Sequence, residues 1–163
     1  AAFAAGGREY GRDHWRAMQA LHTAFLVACP LEVLLLDRVF RPALGLPMLR
    51  VLAATMGLRA WIVATLGERW NTRIIVVPSW TPATGGPYRW IRHPNYVGVV
   101  AELLALPLVH GAWITAVTGG ILNLLLLRVR IRDEEAALAA WPGYAEAMAG
   151  RGRFLPRRPP EGS

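Results

Sequence analysis

Residues 85–98 read G-G-P-Y-R-W-I-R-H-P-N-Y-V-G and separate two strongly apolar segments. Gly85, Gly86 and Pro87 interrupt regular structure, and Pro94 biases His93 away from helical geometry. The stretch therefore reads as a shaped loop that enters a helix near Asn95. Arg89, Arg92 and His93 stand beside that helix N-terminus, where unpaired amide N–H groups and fixed positive charge favour the same ligand, an anion such as a carboxylate. Taken singly, an arginine bordering an apolar helix marks only a membrane boundary. Grouped with His93, Asn95 and Tyr96, these cations describe a site.

Working outward, the composition is that of a membrane protein. The chain has 163 residues, 54% of them hydrophobic, too apolar for an ordinary soluble domain of one-domain length. The formal charge of +7 comes with arginines that flank apolar runs. They do not line a polar face with interleaved aromatics, so an anionic membrane surface is the expected partner and nucleic acid is not. The single cysteine, Cys29, lies within an apolar run. It reads as a small core residue, which leaves no disulfide framework and no metal-ligand cluster.

Four spans are expected, at about residues 17–40, 48–67, 95–110 and 112–130, in one domain covering residues 1–163. Each of the first two is long enough to cross a bilayer, which takes roughly 20 residues. The first carries His22 and Glu32, and the second carries Arg59 near its middle. Ionisable groups at that depth pair or face the bundle interior. Arg59 therefore needs Glu32 or Glu102, and His22 serves either helix packing or the site. Residues 68–87 are polar and irregular, with one β-like run, Ile74 to Val77, from which at most a short extended segment is expected. Residues 97–127 are apolar apart from breaks at Glu102, Pro107, His110-Gly111 and Asn123. A single straight helix of that length would measure about 46 Å, too long for a core of about 30 Å. A helical hairpin turning near His110 and Gly111 fits, with arms only just long enough.

Arginines then assign the sides. Arg8, Arg12 and Arg16 precede the first span, Arg69, Arg73, Arg89 and Arg92 lie between the second and third, and Arg128 to Arg158 follow the fourth. Only Arg38 and Arg41, with Arg50 near them, fall on the other side. The positive-inside rule makes the N-terminal segment, the central loop and the tail 131–163 cytoplasmic, so loop and tail can meet. In the tail, Arg130 and Glu134 are four residues apart and read as a helical ion pair worth a few tenths of a kcal/mol. Pro142 fits the first turn of a second short helix. Leu138, Trp141, Tyr144 and Met148 form an apolar stripe that covers a pocket or lies on the membrane.

With these residues in hand, the chain resembles the isoprenylcysteine carboxyl methyltransferase family, small integral-membrane enzymes that use S-adenosylmethionine. The resemblance is carried by G-P-Y-R-W-I-R-H-P-N-Y-V-G at 86–98, R-I-R-D-E-E at 130–135, Leu138, Tyr144 and F-L-P at 154–156. Residues 6–14, 21–23 and 66–78 are similar to a bacterial branch that often accompanies type III polyketide synthases and in part methylates hydroxyls of long-chain alkylpyrones or alkylresorcinols. That branch usually begins with one more hydrophobic helix, which implies a preceding span beyond the sequence given. The resemblance implies a cofactor pocket built by Tyr88, Arg92, His93, Pro94, Tyr96, Gly98, Glu134 and Glu135. It also implies a lipophilic substrate entering from the bilayer, a cytoplasm-facing site in a bacterial inner membrane, and no metal. No protein partner is evident.

The acceptor decides whether a base is needed. A carboxylate is already ionised and wants an orienting arginine, Arg89 or Arg92. An enol or phenol must lose a proton, to His93, Glu102 or His22. Glu102, if desolvated, has a raised pKa suited to that task, and its other reading is an ion pair with Arg59. Catalytic candidates are thus Arg92, His93 and Glu102. The preferred acceptor is a hydroxyl of a long-chain polyketide, with an isoprenylcysteine-like carboxylate as the alternative. Two other classes stay open: a nicotinamide-dependent membrane reductase of the sterol type, which shares an H-P-x-Y motif, and a lipid-binding scaffold without activity.

The charge asymmetry yields a direct test. Single cysteines introduced at Trp80 and Arg153 should react with an impermeant thiol reagent only from the cytoplasmic side of oriented membranes. Labelling of either from the outside alone would overturn the orientation.

Overall fold

Backbone chemistry at the ends of the apolar runs, more than hydropathy, decides where the helices start and stop. The computed structural model describes residues 2–157, so Arg158 and the last residues of the tail lie outside it. The element order is β1 (Arg8–Tyr10), α1 (Arg12–Leu35), α2 (Pro42–Leu66), β2 (Ile74–Val76), α3 (Pro94–Leu108), α4 (Trp113–Ala139) and α5 (Tyr144–Ala147). Short 3-10 turns cover Gly67–Arg69 and Gly86–Arg89. Three helices, α1, α2 and α4, are each long and apolar enough to cross a membrane. The 15-residue α3 is apolar but shorter, about 22 Å at 1.5 Å per residue. The protein is a mostly helical integral membrane protein.

The first expected span, 17–40, is displaced. Helix α1 begins at Arg12 and stops at Leu35, because Asp37 adopts a left-handed conformation with φ 48° and the Arg38 amide donates back to the Val33 carbonyl at 3.0 Å. This is a Schellman-type stop in which an aspartate takes the place usually given to glycine. The second span starts earlier than expected, at Pro42, which suits a first helical position. Pro47 lies inside that helix, where only one backbone bond is forfeited. The hairpin turn falls where it was expected: Gly111 has φ 69°, and the Ala112 amide closes on the Pro107 carbonyl at 2.9 Å. Helix α4 then runs to Ala139, past the expected end of the fourth span at 130.

The extended run 74–77 finds a partner that the reading of the sequence did not supply. β1 and β2 form a two-stranded antiparallel sheet in the register Arg8↔Val76, Glu9↔Ile75, Tyr10↔Ile74. Ile74 and Val76 pack on Ala137, Leu138 and Trp141 of the α4 extension and its end. The sheet thereby anchors the polar connection to the helix that reaches furthest out of the apolar zone.

Helix contacts run α1 to α4, α4 to α3 and α3 to α2. Gly119 lets α4 approach α1: a Cβ there would meet the Phe25 ring at 2.7 Å, which is the small-residue route to close packing where lipid tails compete as apolar solvent. Arg59 pairs with Glu102 across α2 and α3, one of its two expected partners. Glu32 is committed elsewhere. Its carboxylate, on α1, accepts the backbone amides of Ile114 at 3.2 Å and Thr115 at 2.7 Å and the Arg38 guanidinium at 2.9 Å. A buried acid of one helix thus caps the N-terminus of another and is neutralised on the spot.

Glu32→Ala should therefore lower the unfolding temperature in detergent, at a cost of about 3 kcal/mol, since it orphans two amides and an arginine. Glu32→Gln keeps an oxygen for α4 and should lose less. Equal losses for the two variants would assign the effect to the charge pair with Arg38 alone.

Candidate functional site

The loop 85–93 is built to bring the third helix's entrance under α4. Gly86 has φ 52°, and a Cβ on it would sit 2.1 Å from the Thr65 hydroxyl oxygen on α2, so only glycine allows this close approach. The 3-10 turn that follows places Tyr88 inward. Arg89 turns outward, its guanidinium 4.2 Å from the Trp90 ring centroid. Pro94 opens α3 at its first position, and His93 precedes it in a non-helical conformation. Residues 151–154 return as a strap: Ile91 and Gly152 form a parallel bridge, the Arg92 amide donates to the Gly152 carbonyl at 2.9 Å, and the His93 amide donates to the Arg153 carbonyl at 3.0 Å. Loop and tail do meet.

Between loop, sheet, α4 and tail lies a cavity of about 170 Å³. Of the residues expected at the site, Tyr88, Arg92, His93, Asn95, Tyr96 and Glu134 line it. Two chains of polar contacts hold them. In the first, Arg130 Nε donates to the Tyr96 hydroxyl at 2.9 Å, and that hydroxyl donates to Glu134; Arg130 Nη2 also holds the Thr72 carbonyl at 2.7 Å. The expected Arg130–Glu134 ion pair is absent, because the Tyr96 hydroxyl stands between the two. In the second, Arg153 donates to Glu135, whose other oxygen lies 3.2 Å from His93 Nε2. Adjacent acids on α4 thus point to different tasks, about 100° apart around the helix.

The other expected residues sit outside the cavity wall. Glu135 stands behind His93. Pro94 is buried under the helix entrance, and Gly98 faces Leu58 at the α2–α3 contact. Glu102 lies with Arg59 in a separate, open apolar trough on α2 and α3 of about 820 Å³, with Leu52, Met56 and Leu106. His22 Nδ1 donates to the Met18 carbonyl, one turn back on its own helix, at 2.8 Å. That contact matches its packing role.

The stripe Leu138, Trp141, Tyr144 and Met148 covers the cavity. Trp141 and Tyr144 are stacked, 6.5 Å between centroids and 10° between planes. Burial, with the Glu134 charge as second cause, raises the Tyr88 phenol well above its usual value, and the same two causes, partly offset by Arg92, push Tyr144 up to about 12. Both remain hydrogen-bond donors at neutral pH. Arg92 Nε donates to the Arg151 carbonyl at 2.9 Å, which fixes the guanidinium while its terminal nitrogens have no protein acceptor among the described residues. Trp70, Trp80 and Arg73 also line the cavity, and the reading of the sequence passed over them. The signal available was the concentration of tryptophan in a polar connection, where no apolar core calls for it. Among the described residues no group of three or more metal-ligating side chains occurs.

The wall therefore combines an open guanidinium edge, a carboxylate and aromatic faces. That set suits a zwitterionic ligand carrying a ring. Comparison with known proteins agrees with the sequence resemblance. The chain is 37% identical over 134 residues to the uncharacterized protein YpbQ of Bacillus subtilis, covering 82% of this chain and 79% of the relative. It is 29% identical over 140 residues to an uncharacterized protein of Haemophilus influenzae, covering 85% and 81%. The profile of the isoprenylcysteine carboxyl methyltransferase (ICMT) family matches residues 46–140, a segment that holds the α2–α3–α4 framework, the cavity loop and both acids, and on these grounds the chain belongs to that family of membrane methyltransferases.

Proposed function

We propose that this membrane methyltransferase transfers a methyl group from S-adenosylmethionine to an oxygen of a lipophilic acceptor, preferentially a hydroxyl of an alkylpyrone- or alkylresorcinol-type polyketide. The observation that carries the reading is the cavity's donor set. Arg92 has free terminal nitrogens for an amino-acid carboxylate, Glu134 offers negative charge to an ammonium or sulfonium, and Trp141 with Tyr144 offers aromatic faces to an adenine. Family membership favours this cofactor over a nicotinamide, and the convergence of Arg92, His93, Tyr96 and Glu134 on one cavity favours an enzyme over a lipid scaffold. When bound, S-adenosylmethionine would supply an electrophilic methyl to the acceptor oxygen, the C–S bond breaking in line as the O–C bond forms and S-adenosylhomocysteine leaving as a neutral thioether.

The protein's part is then to exclude water, align the acceptor and accept a proton. His93 is 3% exposed, lines the cavity and has one ring nitrogen held near Glu135. Its other nitrogen is our candidate for the base that takes the hydroxyl proton as the C–O bond forms, with Glu135 as the group that orients the ring. Glu102, tied to Arg59 away from the cavity, suits a structural pair better than this role. The acceptor's chain would approach along the α2–α3 trough, since Val63 and Ala64 of the trough are followed on the same helix by Leu66 of the cavity. We further take all four helices to cross the bilayer, with α3 short enough to need tilt or local thinning, and the cavity end to face the cytoplasm of a bacterial inner membrane. Carboxyl methylation of an isoprenylcysteine-like acceptor is the second reading. It is favoured by the family's defining activity, with Arg92 as the acceptor clamp; Arg89, stacked on Trp90, is less suited.

Calorimetry should find saturable S-adenosylmethionine binding in the parent protein and about tenfold weaker binding in Glu134→Gln. No saturable binding by the parent would overturn the cofactor assignment. For the acceptor, alkylresorcinol, alkylpyrone and farnesylcysteine analogues should be assayed side by side from pH 6 to 9. With a hydroxyl acceptor, kcat rises with pH until the base is free, and Glu135→Gln, which removes the group that orients the ring, lowers kcat. Turnover of the farnesylcysteine analogue alone, with a flat profile, would sink the polyketide reading.

A further inference from the structure

The end of the bundle remote from the methyltransferase cavity holds a second cleft. It opens between the α1–α2 connection and the α3–α4 turn, measures about 470 Å³, and is lined by Asp37, Arg38, Arg41, His110 and Trp113 among others. Two features separate it from an ordinary helix boundary. Arg38 is held in place: Nη2 is bonded to Glu32 at 2.9 Å and the guanidinium carbon stands 5.5 Å from the Trp113 ring centroid. Its Nη1 has no protein acceptor among the described residues. Arg41, at the mouth of α2, is exposed; its carbonyl accepts the Gly45 amide at 2.8 Å, and its guanidinium forms no hydrogen bond or ion pair among the described residues. Glu32 offsets the Arg38 charge through its contact with Nη2, so the unpaired cation at the cleft is Arg41, with Arg38 Nη1 beside it as an open hydrogen-bond donor.

The surroundings say what kind of anion fits. Val39 is 73% exposed and Trp113 56% exposed, with Leu36 also uncovered, so apolar side chains project beside the cations. A free anion has no use for such a collar. An acyl chain does, and an indole prefers the interface between headgroups and hydrocarbon. Helix α2 contributes the positive end of its dipole at Arg41 and carries no acid in its first turn. Asp37 is the one carboxylate in the lining, and it disfavours strongly charged ligands more than a singly charged phosphodiester.

We propose that this cleft binds the phosphodiester of an anionic phospholipid, with Arg38 Nη1 and Arg41 as donors to the phosphate and Leu36, Val39 and Trp113 against the chain. The assignment also explains why two arginines are kept on the arginine-poor side of the molecule, where the positive-inside rule disfavours them.

Short-chain phosphatidylglycerol, short-chain phosphatidylcholine and inorganic phosphate, each titrated into protein in neutral detergent while the unfolding temperature is followed, provide the test. The expected result is a saturable rise with phosphatidylglycerol, a weaker one with phosphatidylcholine and none with phosphate at the same concentrations. In Arg41→Gln the phosphatidylglycerol midpoint should move to about tenfold higher concentration. Arg50→Gln, which removes another exposed arginine of α2 outside the cleft, should leave it unchanged. Equal responses to both lipids, a response to phosphate alone, an unchanged Arg41→Gln, or an equal loss in Arg50→Gln would each overturn the proposal.

Discussion

The hydroxyl of Tyr96 lies between a guanidinium and a carboxylate, and most of the site depends on that contact. Tyr96 is the third residue of α3, packed with Met18 and Leu127. Its oxygen receives Arg130 and donates to Glu134, both on the extension of α4. An acid and a base on one exposed helical face would gain only a few tenths of a kcal/mol from each other. With a buried phenol between them, each acquires a fixed direction. Arg130 can then hold the connection that follows α2 through the Thr72 carbonyl, and Glu134 stays in the wall of the cavity.

The same rule governs the apolar zone, where a charge left without a partner costs several kcal/mol. Arg59 and Glu102 meet across α2 and α3, and Glu32 is surrounded by donors from α4 and Arg38. The first contact joins the successive helices α2 and α3, and the second joins α1 to α4 across the length of the chain. Unpaired donors are left to the two ends of the bundle. At one end they face the cavity with its aromatic wall, at the other the cleft bordered by Trp113. Short helix α3 links the two, which brings membrane-embedded surface close to a polar pocket.

Much of this was legible. The apolar runs, the turn at Gly111, the proline that opens α3 and the meeting of loop and tail all follow from local preferences and charge asymmetry. The misreadings share a cause. Asp37 stops α1 because of the backbone bond from Arg38 to Val33, and aspartate is an uncommon residue for that conformation. The run at Ile74 finds a strand partner more than sixty residues away in sequence, at Arg8 to Tyr10. Arg130 and Glu134 have the spacing of an ion pair, but a third residue from another helix intervenes.

What the sequence determined by itself is which segments leave water and which residue types gather at their borders, because apolar burial and helix-end chemistry act over a few residues. It also carried the family, through motifs quoted in order. What only the tertiary structure decided is the assignment of partners: Glu102 to Arg59, Glu32 to the α4 amides, Glu135 to His93, Gly98 to a helix contact, and the tryptophans of the polar connection to the cavity. A charged or polar side chain in a low-dielectric setting takes the nearest well-oriented partner, and nearness between residues far apart in the chain is a property of the folded backbone.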